Sequence, residues 1–144
     1  MPVFVDTNVL VYARDVSDPR KQATATAWME HLWASASGRL SVQVLQEYYV
    51  TMTRKLQPGL PTEEAREDVR DLVAWRPVRV DEEVLDAAWR VEDRFGLSFW
   101  DSLIVAAAHA ARCETLLTED LQHDLVIDGL RIADPFRTPV GSLG

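Results

Sequence analysis

The sequence predicts an α/β domain: a three-layer α/β/α sandwich around a mainly parallel sheet. Three observations carry this. Val3-Phe4-Val5 is a short continuous apolar run, the character of a strand buried on both faces. Strand-like runs alternate with longer segments whose apolar residues recur at helical spacing, and alternation of that kind builds parallel sheets through crossovers. The 144 residues are one domain's worth, enough to bury a core without disulfides.

Taken in order, the first strand ends at Asp6-Thr7-Asn8, and Val9 to Ala13 begins a helical turn or two. After a polar loop from Asp15 to Pro19, Arg20 to Ser35 reads as an amphipathic helix presenting Ala23, Ala27, Trp28, Leu32 and Trp33. Leu40-Ser41-Val42 reads as a brief strand. From about Val44 a helix carries Leu45, Tyr48, Met52 and Leu56 on one face, until Pro58-Gly59-Leu60-Pro61 stops it. Thr62 is placed to cap the next helix, which runs to about Trp75. Val78-Arg79-Val80 reads as a strand, and Glu82 opens a helix that Gly96 ends. Ser98 to Ala111 forms a buried helix, with Ile104, Ala107, Ala108 and Ala111 at helical spacing. Thr115-Leu116-Leu117 is another strand, and Val126 to Ile132 reads as two short runs around an Asp128-Gly129 turn. A single domain over 1–136 and a loose tail over 137–144 are expected.

Composition narrows the function. Hydrophobic residues at 47% and charged residues at 26% are ordinary for a globular protein. A formal charge of −8 argues against a protein that coats nucleic acid through a basic stripe. It leaves room for an enzyme that gathers cations, because a metal inverts the field where carboxylates cluster. The single cysteine, Cys113, excludes a disulfide framework or cysteine metal cluster within the chain. The N-terminus lacks a signal-peptide pattern and the alanine-rich run after Asp101 is too short to span a bilayer, so a cytoplasmic protein is expected.

Three acids hold equivalent places. Asp6 and Asp120 follow apolar strands, and Asp101 opens an apolar helix. Each has an ordinary explanation: Asp6 as a helix cap, and Asp101 as half of a Ser98-x-x-Asp101 capping box. Yet parallel strands expose their carboxyl ends along one edge, where ligands collect, so one cleft can hold all three with Glu47 reaching in from its helix. Four carboxylates together repel unless a cation joins them. An oxygen-only donor set suits Mg2+ or Mn2+, which lower the pKa of a bound water and offset phosphate charge.

The segments Phe4-Val5-Asp6-Thr7-Asn8-Val9-Leu10, Leu45-Gln46-Glu47-Tyr48-Tyr49, Phe99-Trp100-Asp101-Ser102-Leu103-Ile104 and Leu117-Thr118-Glu119-Asp120-Leu121, in that order, resemble PIN-domain nucleases. The spacing is most similar to the VapC toxins of type II toxin–antitoxin pairs. The resemblance implies a Mg2+- or Mn2+-dependent endoribonuclease with Asp6, Glu47, Asp101 and Asp120 as its metal-binding acids. Asp6 and Asp101 are then the surest ligands, and Thr7, Asn8 and Ser102 orient carboxylates or water. It also implies an RNA substrate, a cognate antitoxin partner and a homodimer. Many relatives carry glycine near Gln122-His123; this chain has Asp124, expected to face away from the cleft. His109 is expected in the core, His123 is the one histidine placed for an accessory role, and Arg14, Arg54 and Arg112 are surface charges within possible reach of RNA phosphates. Two rivals remain. A haloacid-dehalogenase-like phosphatase needs an aspartate where Asn8 stands, and a non-catalytic binding module would use the acids only as caps and solvated residues.

Overall fold

The computed structural model describes residues 1–143. Strands β1 (Val3–Val5), β2 (Gly38–Arg39), β3 (Thr115–Leu117), β4 (Val126–Ile127) and β5 (Leu130–Ala133) form one five-stranded sheet in the order β2-β1-β3-β5-β4. β1 runs parallel to β2 and β3, and β3 parallel to β5; β4 and β5 form an antiparallel hairpin. Around the sheet pack α1 (Thr7–Arg14), α2 (Pro19–Ala34), α3 (Val42–Val50), α4 (Thr62–Leu72), α5 (Glu82–Phe95) and α6 (Phe99–Ala110). This is the sandwich with a mainly parallel sheet that the sequence predicts.

Helix starts follow local chemistry. The side chains of Asp18, Ser41, Asp81 and Ser98 accept from first-turn amides of α2, α3, α5 and α6, satisfying donors the helix itself leaves free. Gly96, at φ +68°, ends α5 in the left-handed conformation that glycine adopts without strain. The core joins Phe4, Leu116 and Ile132 of the sheet with Trp28 and Leu32 of α2, all fully buried. In α6, Ser102 to Ala108 are buried without a break. No helix among the described residues is long and apolar enough to cross a membrane.

Several elements differ from the sequence expectation. The second strand falls at Gly38–Arg39 rather than Leu40 to Val42, because Ser41 is needed as the cap of α3. Val78 to Val80 does not join the sheet; Val78 makes one isolated parallel bridge to Ser41. The buried face of α2 is Ala25, Trp28 and Leu32, while Ala23 and Trp33 face outward. Thr62 is the first residue of α4, not its cap, and Pro61 precedes it without a side-chain bond. The helix begun by α3 widens at Thr51–Lys55 into a π-helical turn, so its expected regular face ends there. Towards the C-terminus, Phe136 packs edge-on against Tyr12, and Leu143 rests against the core.

Candidate active site

Strand register decides where the acids meet. Val5 pairs with Leu117, so Asp6 and Thr118 leave β1 and β3 side by side. The Asp6 amide donates to the Leu117 carbonyl at 3.1 Å, and the Thr118 hydroxyl donates to Asp6 Oδ2 at 2.8 Å. The sheet extends from β1 towards β2 on one side and towards β3 on the other, the kind of crevice where open α/β sheets bind ligands.

Asp6 is only 6% exposed, and its Oδ1 accepts from the Thr7 amide at 2.7 Å. The capping role expected of it is therefore real, but incomplete as an account. Burial pushes its carboxyl up from 3.8 to about 6 against the pull of Thr118 and Thr7, and the charges of Asp120 and Glu47 push it further. Asn8 ties the strand ends together. Its Nδ2 donates to Thr118 Oγ1 at 3.0 Å and to Asp120 Oδ2 at 3.1 Å, with Asp6 Oδ2 at 3.4 Å. Its Oδ1 accepts from the Glu119 amide at 3.3 Å. A carboxylate at this position, which the phosphatase rival requires, could donate none of these Nδ2 bonds.

Glu47 reaches in from α3. Its Oε2 accepts from the Thr7 hydroxyl at 2.9 Å and its Oε1 from Gln43 Nε2 at 2.8 Å. Asp120 is raised above the ordinary aspartate value by desolvation and by the charges of Asp101, Glu119 and Glu47, partly offset by Asn8. At Asp101 the capping box closes on one side only: Ser98 Oγ accepts from the Asp101 amide at 3.1 Å, and no group among the described residues donates to the Asp101 carboxylate. Thus segments far apart in sequence bring four carboxylates within electrostatic reach. No lysine or arginine among the described residues pairs with any of them.

Of the four, Glu47 and Asp120 line a cleft of about 780 Å3 whose walls also include Thr7, Asn8, Lys55 and Trp100. Among the described residues, no three acids stand close enough to enclose an ion by themselves. That donor set suits a cation such as Mg2+, which takes one or two carboxylates and fills its remaining positions with water and substrate oxygens. Beside the cleft, the Tyr12 hydroxyl donates to Glu119, and Lys21 Nζ lies 2.7 Å from Glu119 Oε2. This pins the β3 exit next to Asp120.

Other expected participants are used differently. Arg14 is locked to Asp68 by a two-pronged pair at 2.6 and 3.0 Å and to Glu64 at 3.2 Å, so it is not free for phosphate. Arg112 precedes β3 and lies at the sheet edge opposite the acids. His123 Nδ1 accepts from the Asp134 amide at 3.0 Å, and Asp124 pairs with Arg131 at 2.6 Å; both hold the hairpin region. His109 bonds the Ile127 carbonyl at 2.9 Å. The Ser102 hydroxyl is buried without a hydrogen-bond partner among the described residues and orients no acid there. Thr118, Gln43 and Lys55 were missed. The first follows from strand register, and the second from the four-residue helical step to Glu47.

The PIN domain family model matches residues 3–127, most of the chain. The chain belongs to the PIN-domain family. Solved structures share the PIN fold at low identity. A toxin–antitoxin complex from Klebsiella pneumoniae matches with a TM-score of 0.65 and 18% identity over 94% of this chain and 98% of that one. Mycobacterium tuberculosis VapC20, described as a sarcin–ricin loop cleaving toxin, matches at 0.60 and 24% over 79% and 86%. VapBC2 from Rickettsia felis, bound to a DNA fragment from its promoter, matches at 0.60 and 17% over 92% and 97%. No curated protein matches this PIN domain in sequence.

Proposed function

We propose that this PIN domain is a Mg2+- or Mn2+-dependent endoribonuclease and the toxin of a toxin–antitoxin pair. The observation that carries the reading is the convergence of Asp6, Glu47, Asp101 and Asp120 at one end of the sheet, with no lysine or arginine among the described residues in an ion pair with any of them. The descriptions of the structural neighbours support the toxin assignment, with an antitoxin as partner; a homodimer is part of the proposal and rests on the sequence resemblance alone.

A bound divalent ion would supply a Lewis acid that readies a water and offsets charge on the phosphate. Asp6 and Asp101 would be its principal holders, with Asp120 and Glu47 completing the set. Glu47 and Asp120 are exposed to the cleft, where a carboxylate can orient the attacking water and take its proton. The water oxygen adds to phosphorus, the ester P–O bond breaks, and the departing oxygen is protonated from solvent. Thr7 and Gln43 fix Glu47, while Asn8 and Thr118 fix Asp120 and Asp6, so the acids are oriented before substrate arrives.

Thermal unfolding with added metal tests this directly. Mg2+ or Mn2+ at about a hundredfold over Kd should stabilise by roughly 2.7 kcal/mol, a rise of about 5–10 °C. Asp101→Asn should abolish both the rise and the cleavage of RNA. A variant that loses stability yet still cuts RNA would return Asp101 to a capping role, and a chain indifferent to both metals would remove the nuclease reading.

A further inference from the structure

Resting on the reading of RNA as substrate, we propose that the cleft takes a single-stranded segment by stacking one base on Trp100 while Lys55 holds a neighbouring phosphate. Trp100 is 63% exposed although it immediately precedes a half-buried acid of the site. It lines the same cleft as Glu47 and Asp120. Phe99 meets it edge-on with ring centroids 5.1 Å apart, which holds the indole at the mouth. The other exposed tryptophans are placed differently. Trp33 leans on the Trp75 ring at 5.2 Å, and Trp89 sits on α5, outside the cleft lining. An indole so open contributes little to folding. At the entrance to a phosphodiester site it offers a flat face to any base.

Charge decides what else can bind. With a net charge of −8 and an acid-lined cleft, general attraction to a polyanion is absent. Affinity must come from stacking and from local cations. Lys55 is the one basic residue lining the cleft and pairs with no acid among the described residues, whereas Arg14 and Lys21 are already engaged. It closes the π-helical turn that extends α3 beyond Glu47, so acid and cation share one continuous helical wall. A duplex keeps its bases stacked on each other and withholds them from an indole. A single strand or loop does not.

The test is binding of a short oligouridine, in EDTA so that nothing is cut, against an RNA duplex of the same length. The single strand should bind and quench tryptophan emission, and the duplex should do neither. Trp100→Ala should weaken binding roughly 5- to 100-fold, with Trp100→Phe retaining most of it. In separate assays with Mn2+, Trp100→Ala should raise KM and leave kcat near that of the unmodified protein. Lys55→Gln should flatten the dependence of log K on log salt by about 0.7. Equal binding by Trp100→Ala would overturn the proposal, as would equal binding of the duplex, or a Trp100→Ala effect confined to oligomeric state. Unmodified protein that binds and quenches but never cleaves would instead count against the nuclease reading and leave this one standing.

Discussion

Asp6 shows how a single side chain can serve the fold and oppose it. Its oxygens satisfy the Thr7 amide and the Thr118 hydroxyl, yet it is buried beside two other acids and no cation. Between pH 3.8 and about 6 the folded protein therefore holds a proton that the unfolded chain has released. Metal-free stability should fall as pH rises through that window. The displacement corresponds to roughly 3 kcal/mol at most. Asp6→Asn removes the titration, so its unfolding free energy should change less across the window than that of the unmodified protein. Denaturant melts at pH 4 and pH 7.5 measure the difference, and two parallel profiles would refute the assignment. Excess Mg2+ should flatten the same slope, because bound metal favours the deprotonated carboxylate.

At the scale of elements, what the sequence discloses depends on how local the cause is. Caps at Ser41, Asp81 and Ser98 and the stop at Gly96 are decided within a few residues, so they can be read directly. Two of the proposed site acids could be picked out for a similar reason, Asp6 following β1 and Asp101 lying in the first turn of α6, whereas Glu47 lies inside α3 and depends on how that helix packs. Arg14 was not, because its partners Asp68 and Glu64 come from α4, more than three elements later. β2 was misplaced because its position is decided across the molecule. A Cβ on Gly38 would lie 2.5 Å from the Trp75 ring, so glycine there lets the indole pack flat on the strand. Gly38→Ala should cost about 1–3 kcal/mol by forcing Trp75 off its seat. A lowered denaturant midpoint with an unchanged slope would confirm it, and an unmoved midpoint would show that the ring can shift freely.

Across the whole molecule, the four acids proposed to hold the ion come from the end of β1, from α3, from α6 and from the exit of β3, which together span most of the chain. Their mutual repulsion therefore acts against the global fold and not against one loop. Its range sets how salt should act. At low ionic strength the Debye length is about 30 Å, longer than the site, and at 1 M it is about 3 Å. Added NaCl should then raise the melting temperature of the metal-free protein by roughly 3 °C for each 1 kcal/mol of repulsion screened. The Asp101→Asn/Asp120→Asn double variant should gain less, since two of the charges are gone. With saturating Mg2+ the sign should reverse, because salt then screens an attraction between ion and carboxylates. A melting temperature that falls with salt in the metal-free protein would mean that the ion pairs Arg14–Asp68 and Lys21–Glu119 outweigh the acid cluster. The cleft would then be no electrostatic trap for a divalent cation.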